Sequence, residues 1–281
     1  FSARYSIAAG IVKNNHIISS ISLMQVASGA TSVVGPLIGG SLLEIIGVTD
    51  CFSIIAVTFL LSFLALIPLK IAPESGMGNR SSIWKELVSG LDYIRKDRVL
   101  FSLLLIAALA NLFIYPHTYT LMPIFARDVL GTGATGFGLL MAGAGFGTIL
   151  GSLAIGSVSP VANRGKVLVC AMIAWPVLLF TFAFSKSFTL SIALLVLAGI
   201  AQGISMALVQ ALLLMGSTEE MRGRVSGTRA FAISTLSLGT LLAGYEAALW
   251  GAPAALIINT SFFIALTTLV FVWAPGLTRH K

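Results

Sequence analysis

The stretch SFTLSIALLVLAGIAQGISMALVQALLLM, residues 187–215, contains no Asp, Glu, Lys, Arg or His. As an α-helix rising 1.5 Å per residue it is about 44 Å long, more than the roughly 30 Å hydrocarbon core of a bilayer requires. Seven further stretches meet the same test of length and apolarity: 18–43, 51–70, 99–126, 135–158, 166–185, 226–248 and 252–274. The expected fold class is therefore an all-α polytopic membrane protein with about eight transmembrane helices. Composition agrees. The 281 residues are 57% hydrophobic and 10% charged, against about 25% charged in soluble domains. Too few charges are present to cover a water-soluble surface.

The connections test this reading independently, because cytoplasmic loops are enriched in Lys and Arg. Arg4 and Lys13 precede the first span. The connection after the second carries Lys70, Arg80, Lys85, Arg95, Lys96 and Arg98. Arg164 and Lys166 follow the fourth, Arg222, Arg224 and Arg229 follow the sixth, and Arg279 and Lys281 close the chain. The other side receives only Arg127 and Lys186. This alternation implies eight crossings with both termini in the cytoplasm of a cell (inner) membrane. The net charge of +7 then anchors topology and meets anionic lipid. It is not a nucleic-acid footprint.

Residues 71–82 read as a polar linker broken by Pro73, Gly76 and Gly78. Ile83, Leu87, Leu91 and Ile94 recur at helical spacing with charges between them, which predicts an amphipathic helix over 83–97 on the cytoplasmic membrane surface. The expected organisation is three-part: 1–70 with two spans, 71–98 as cytoplasmic linker, and 99–281 as a six-helix bundle. Cys51 and Cys170 sit in apolar surroundings without metal-ligand spacing. The glycines of 135–158 do not follow a strand, so they form no nucleotide loop. Gly143, Gly147 and Gly151 instead share one helix face suited to close packing. No cofactor, metal or catalytic residue is expected.

Three runs carry a resemblance to a known family. They are Gly35-Pro36-Leu37-Ile38-Gly39-Gly40, Leu121-Met122-Pro123-Ile124-Phe125-Ala126-Arg127-Asp128-Val129-Leu130-Gly131 and Glu220-Met221-Arg222-Gly223-Arg224-Val225-Ser226-Gly227. The chain resembles the major facilitator superfamily, in particular the bacterial efflux branch that includes macrolide and enterobactin exporters. The first run is similar to the end of the antiporter motif in helix five, although earlier motif glycines are Ser22 and Thr31 here. The second is similar to the end of helix seven and the third to the loop between helices ten and eleven. The resemblance implies that the eight spans are helices five to twelve and that helices one to four are absent. A gating motif that recurs after helix eight is altered, with Pro160 and Val161 in place of its acid–base pair.

Polar side chains inside spans are costly and so are candidate site residues. Asn111, Tyr115, Thr118 and Met122 fall on one α-helical stripe, and Gln202, Ser205, Met206 and Gln210 line another. By resemblance these stripes belong to helices seven and ten, which flank a central cavity suited to a small amphiphilic substrate. Interhelical hydrogen bonding is the competing explanation. Glu246 and His117 are the candidates for coupling to a proton, with an interfacial carboxylate and a packing histidine as the alternatives. Gly35, Pro36, Gly39 and Gly40, together with Arg222, Gly223 and Arg224, are the candidate conformational motifs. The expected function is secondary active export of drug-like or siderophore-like compounds by alternating access, driven by H+. An importer of the same superfamily and an inactive fragment are the alternatives. A membrane-embedded enzyme is disfavoured because His117 has no acidic partner in its span.

Overall fold

The computed structural model describes residues 17–66, 83–157 and 164–276. The expected linker 71–82, the altered pair Pro160 and Val161, and the basic ends Arg4, Lys13, Arg279 and Lys281 lie outside the described residues. In chain order the helices are α1 (Ile17–Leu66), α2 (Ile83–Lys96), α3 (Arg98–Val129), α4 (Gly133–Ser157), α5 (Arg164–Phe182), α6 (Phe188–Met215), α7 (Arg222–Ala232) and α8 (Thr235–Trp273). A short 3-10 turn, Glu219–Met221, joins α6 to α7.

Six stretches of the described residues are long and apolar enough to cross a membrane, and the last of them, Glu219–Trp273, has 55 residues. It is not one crossing. Gly251 takes φ 83° and ψ 159°, a left-handed conformation that glycine adopts without penalty. Across this break Asn259 donates to the Glu246 carboxylate. Residues 13 apart in a continuous helix would lie about 20 Å apart, so the chain has folded back. α1 breaks in the same way at Gly47, with φ 80° and ψ 177°. Its second arm is a shorter apolar helix, Ile45–Leu61. The first and second predicted spans, and the seventh and eighth, are thus each joined by a single glycine rather than by a loop.

In lipid, helix association depends on close van der Waals contact, which small residues allow. α4 uses this on two faces. Toward α6, a Cβ on Gly147 would fall on the Val196 carbonyl oxygen, and one on Gly151 on that of Ile200. α6 answers with Gly199 and Gly203, whose Cβ atoms would meet the Ala144 and Thr148 carbonyls. Toward α1, a Cβ on Gly138 would lie 2.6 Å from the Pro36 oxygen, and one on Gly40 would lie 2.8 Å from the Ala134 oxygen. Gly35 and Gly39 face open space, with nothing within 4 Å of their Cβ positions. Gly29, six residues before Gly35, is the second α1 glycine pressed onto α4, against Ile149. Pro36 keeps helical angles, and Gly47 is where α1 departs from them.

A helix forms at the expected place, Ile83–Lys96, and its apolar face meets protein. Ile94 is fully buried, and a Cβ on Gly90 would lie 2.8 Å from the Arg224 oxygen of α7. Tyr93 Oη accepts from the Thr218 amide at 3.3 Å. Gly90 lacks the side chain that would hold α7 away.

Gly147→Ala is expected to destabilise the bundle by about 1–3 kcal/mol through overpacking. Gly143→Ala, whose Cβ would be 3.4 Å from Ile192, should stay within about 0.5 kcal/mol of the parent. Unfolding by SDS titration in mixed micelles measures both, and equal effects would contradict the packing described here.

Candidate transport site

The centre of α3 is not a regular α-helix. Pro116 and Pro123 have no amide to donate, and the chain widens its turns around them. The amides of Tyr115, Met122 and Leu130 bond five residues back, to the carbonyls of Ala110, His117 and Phe125. The carbonyl of Leu112, four residues before Pro116, is turned toward α8, where a Cβ on Gly239 would overlap it. One turn away, Thr235 Oγ1 of α8 donates to the Ala108 carbonyl at 3.2 Å. α3 and α8 are therefore joined where α3 gives up regular hydrogen bonding.

Wide turns hold more residues than α turns, so they rotate the predicted stripe. Asn111 is half-buried and donates to the Ala107 carbonyl at 2.8 Å. Tyr115 stands edge-on to Trp175 of α5, with ring centroids 5.5 Å apart. Met122 is 1% exposed. Thr118 has a side chain outside the described residues. The structure thus packs Tyr115 and Met122 into the bundle, with the Asn111 amide turned to its own helix backbone. Tyr119 is 62% exposed, a polar residue of α3 that straight α-helical counting passes over.

The α6 stripe stays together because α6 is regular. Gln202 is half-buried, and Ser205, Met206 and Gln210 are buried. Ser205 Oγ and Gln210 Oε1 have no hydrogen-bond partner among the described residues, and neither does Ser22 Oγ of α1. Ile21, beside Ser22, packs against Ala211 and Leu214 of α6. Buried polar atoms without partners carry a desolvation cost and are uncommon in folded proteins.

The two coupling candidates lie apart in the chain and in their partners. Glu246, half-buried, is held by Asn259 from the other arm of α8. Asn259 also donates to the Ala255 carbonyl at 2.8 Å. Asn259 is offset by 13 residues from Glu246, and the break at Gly251 between them brings the two together. His117 is 4% exposed, with Nδ1 against the Ile114 carbonyl.

The Arg222-Gly223-Arg224 run divides its labour. Arg222 is 7% exposed. Its Nε donates to the Leu214 carbonyl in the last turn of α6 at 3.4 Å, and its Nη1 lies 3.8 Å from Glu219. A cation among the unpaired carbonyls at a helix C-terminus is favourably placed. Gly223 has nothing within 4 Å of its Cβ position. Arg224 is exposed, with Nη1 3.8 Å from the Met221 sulfur. Arg222→Ala is expected to cost about 1–3 kcal/mol of bundle stability, whereas Arg224→Ala should cost no more than about 0.5 kcal/mol. Thermal unfolding in detergent distinguishes them.

The family model described as "Transmembrane secretion effector" matches residues 3–277. The multidrug efflux pump Tap of Mycolicibacterium fortuitum is 26% identical over 217 residues, covering 75% of this chain and 52% of the relative. The chain spans about half the length of that relative. The crystal structure of the human organic anion transporter MFSD10 (TETRAN) superposes with a TM-score of 0.69 at 18% identity, covering 96% of this chain and 67% of the other. At that identity the superposition establishes the fold alone. The match over 3–277, on a bundle of glycine-packed membrane helices, shows that this chain belongs to the transmembrane secretion effector family of major facilitator transporters, a multi-pass membrane family whose work is transport and not catalysis.

Proposed function

We propose that the chain is part of an exporter that moves small hydrophobic or amphiphilic compounds out of the cell across the inner membrane, with both termini cytoplasmic and H+ as the coupling ion. Two units, 1–70 and 99–281, belong to the two rocking bundles of an alternating-access cycle, with 71–98 as the cytoplasmic linker between them. The α6 stripe of Gln202, Ser205, Met206 and Gln210 forms one wall of the substrate path, and Asn111 and Tyr115 of α3 contribute from beside it. The observation that carries this reading is the pair of buried, unpartnered atoms Ser205 Oγ and Gln210 Oε1. Ser152, Ser226 and Thr267 carry such atoms too, so it is the place of Ser205 and Gln210 on the α6 stripe that singles them out. A path that opens in another state of the cycle gives them a substrate or water to bond. The 26% identity to a named multidrug efflux pump supports the direction of transport.

Glu246 is the leading group for proton coupling, because its one described hydrogen-bond partner, Asn259, is neutral and sits on the opposite arm of a glycine-hinged hairpin. The glycine-packed contact of α1 with α4 is the seam along which the bundles rock. Gly40 and Pro36 touch that seam, and Gly35 and Gly39 lie on the open side of α1. Arg222 latches the end of α6 in one state.

Expression of the intact gene product in an efflux-deficient bacterium should lower accumulation of hydrophobic dyes severalfold, and collapsing the proton gradient should abolish the difference. Accumulation that rises, and falls when the gradient is collapsed, would establish import instead. Gln210→Ala should bring accumulation most of the way back to the vector level while shifting unfolding by less than about 1 kcal/mol. A change in stability with unchanged transport would assign Gln210 to packing alone. Glu246→Gln should leave dye binding in place and remove its dependence on external pH.

A further inference from the structure

Outside the candidate site, an apolar concavity lies between α3 and the second arm of α8. Its volume is about 340 Å³, and Phe101, Leu105 and Leu109 face Leu266, Val270 and Trp273 across it. The α3 residues recur every four positions and so form one continuous stripe. From Phe101 to Leu109 the stripe runs about 12 Å. The floor is buried, with Val270 7% exposed, and the rim is open to the outside of the bundle, with Leu269 at 64% and Trp273 at 50%.

One end of the groove is chemically different from the rest. Phe101 meets Trp273 edge-on, with centroids 6.2 Å apart. The Arg98 guanidinium lies over the same indole, 5.6 Å from its centroid. Arg98 opens α3 and Trp273 closes α8, so both stand where helices leave the membrane, the depth at which Trp and Arg are enriched. Arg95, on the last turn of α2, is also exposed. The nearby acids are already engaged. Asp97 Oδ1 accepts from the amides of Val99 and Leu100 at 2.7 and 3.2 Å, and Asp92 pairs with Lys96 at 2.9 Å. A cation held flat by an indole thus stands at the mouth of an entirely apolar slot.

We propose that this groove binds one acyl chain of an anionic phospholipid, with its phosphate at Arg98. Slot and cation together match a molecule that is a narrow hydrocarbon at one end and an anion at the other. A helix from a second copy would cover the apolar rim but offers no anion to match the Arg98 cation at the mouth. The assignment of the mouth to the cytoplasmic leaflet rests on the topology proposed above; the groove itself does not.

The test uses the whole chain in nanodiscs, which expose both leaflets, so that its outcome is independent of orientation and of transport. The probe is phosphatidylglycerol carrying a photoactivatable acyl chain, compared with phosphatidylcholine carrying the same chain. Crosslinked peptides are mapped by mass spectrometry. Phosphatidylglycerol should label 101–109 and 266–273 several times more than phosphatidylcholine. Arg98→Gln should bring the two lipids to parity while the groove is still labelled, and Leu105→Trp should lower labelling by both by filling the slot. Circular dichroism and size-exclusion profiles check that each variant folds. Equal labelling by the two lipids in the parent chain, or label spread evenly around the bundle, would overturn the proposal. So would crosslinks between copies at 105 and 269 in place of lipid adducts.

Discussion

The physical constraint on which everything else depends is the distance between backbones at the crossing of α4 and α6. Lipid tails are as apolar as leucine, so no hydrophobic driving force presses two membrane helices together. What holds them is contact at a separation that a single methyl group would prevent. Gly147 and Gly151 on one side, and Gly199 and Gly203 on the other, each occupy a place where a Cβ would enter the carbonyl of the facing helix. With its other face α4 takes α1 the same way through Gly138 and Gly40. One helix of low side-chain volume thereby sets the spacing of three.

That spacing has consequences for α6. Pressed against α4 on one side and α1 near its end, α6 buries Ser205, Met206 and Gln210 without supplying partners for the polar atoms of the serine and the glutamine. Groups of this kind are paid for elsewhere in the fold and tend to mark working surfaces. α3 behaves in the opposite way. It relaxes its hydrogen bonding around two prolines, and its loosened carbonyls are met by Gly239 and Thr235 of α8. The bundle therefore combines a stiff wall, built on glycine, with a compliant one, built on proline.

On the basic side, α2, α7 and the end of α6 form a small cap of their own. Gly90 admits the backbone of α7, and Tyr93 and Arg222 tie the connection between α6 and α7 to α2 and to the α6 carbonyls. The connection between the two groups of spans is thus mechanically joined to the loop that carries the arginine pair.

The sequence by itself determined that the chain crosses a membrane many times, roughly where each crossing lies and how the basic connections alternate, because these follow from runs of apolar residues and the cost of moving charge through lipid. The glycine face of α4 was also legible, since α4 is regular and helical periodicity places Gly143, Gly147 and Gly151 on one side. The packing of Tyr115 against Trp175 was not, because α3 widens its turns around Pro116 and Pro123, and a rotation of the helix face leaves no mark in the spacing of residues. Nor was the pairing of Glu246 with Asn259, which depends on the fold-back at Gly251, or the partner of Gly90, which is more than a hundred residues away. Only the tertiary structure decides which glycines of α1 touch a neighbour: Gly35 and Gly40 differ in sequence context very little, and it is the direction from which α4 arrives that gives one of them its role and leaves the other open.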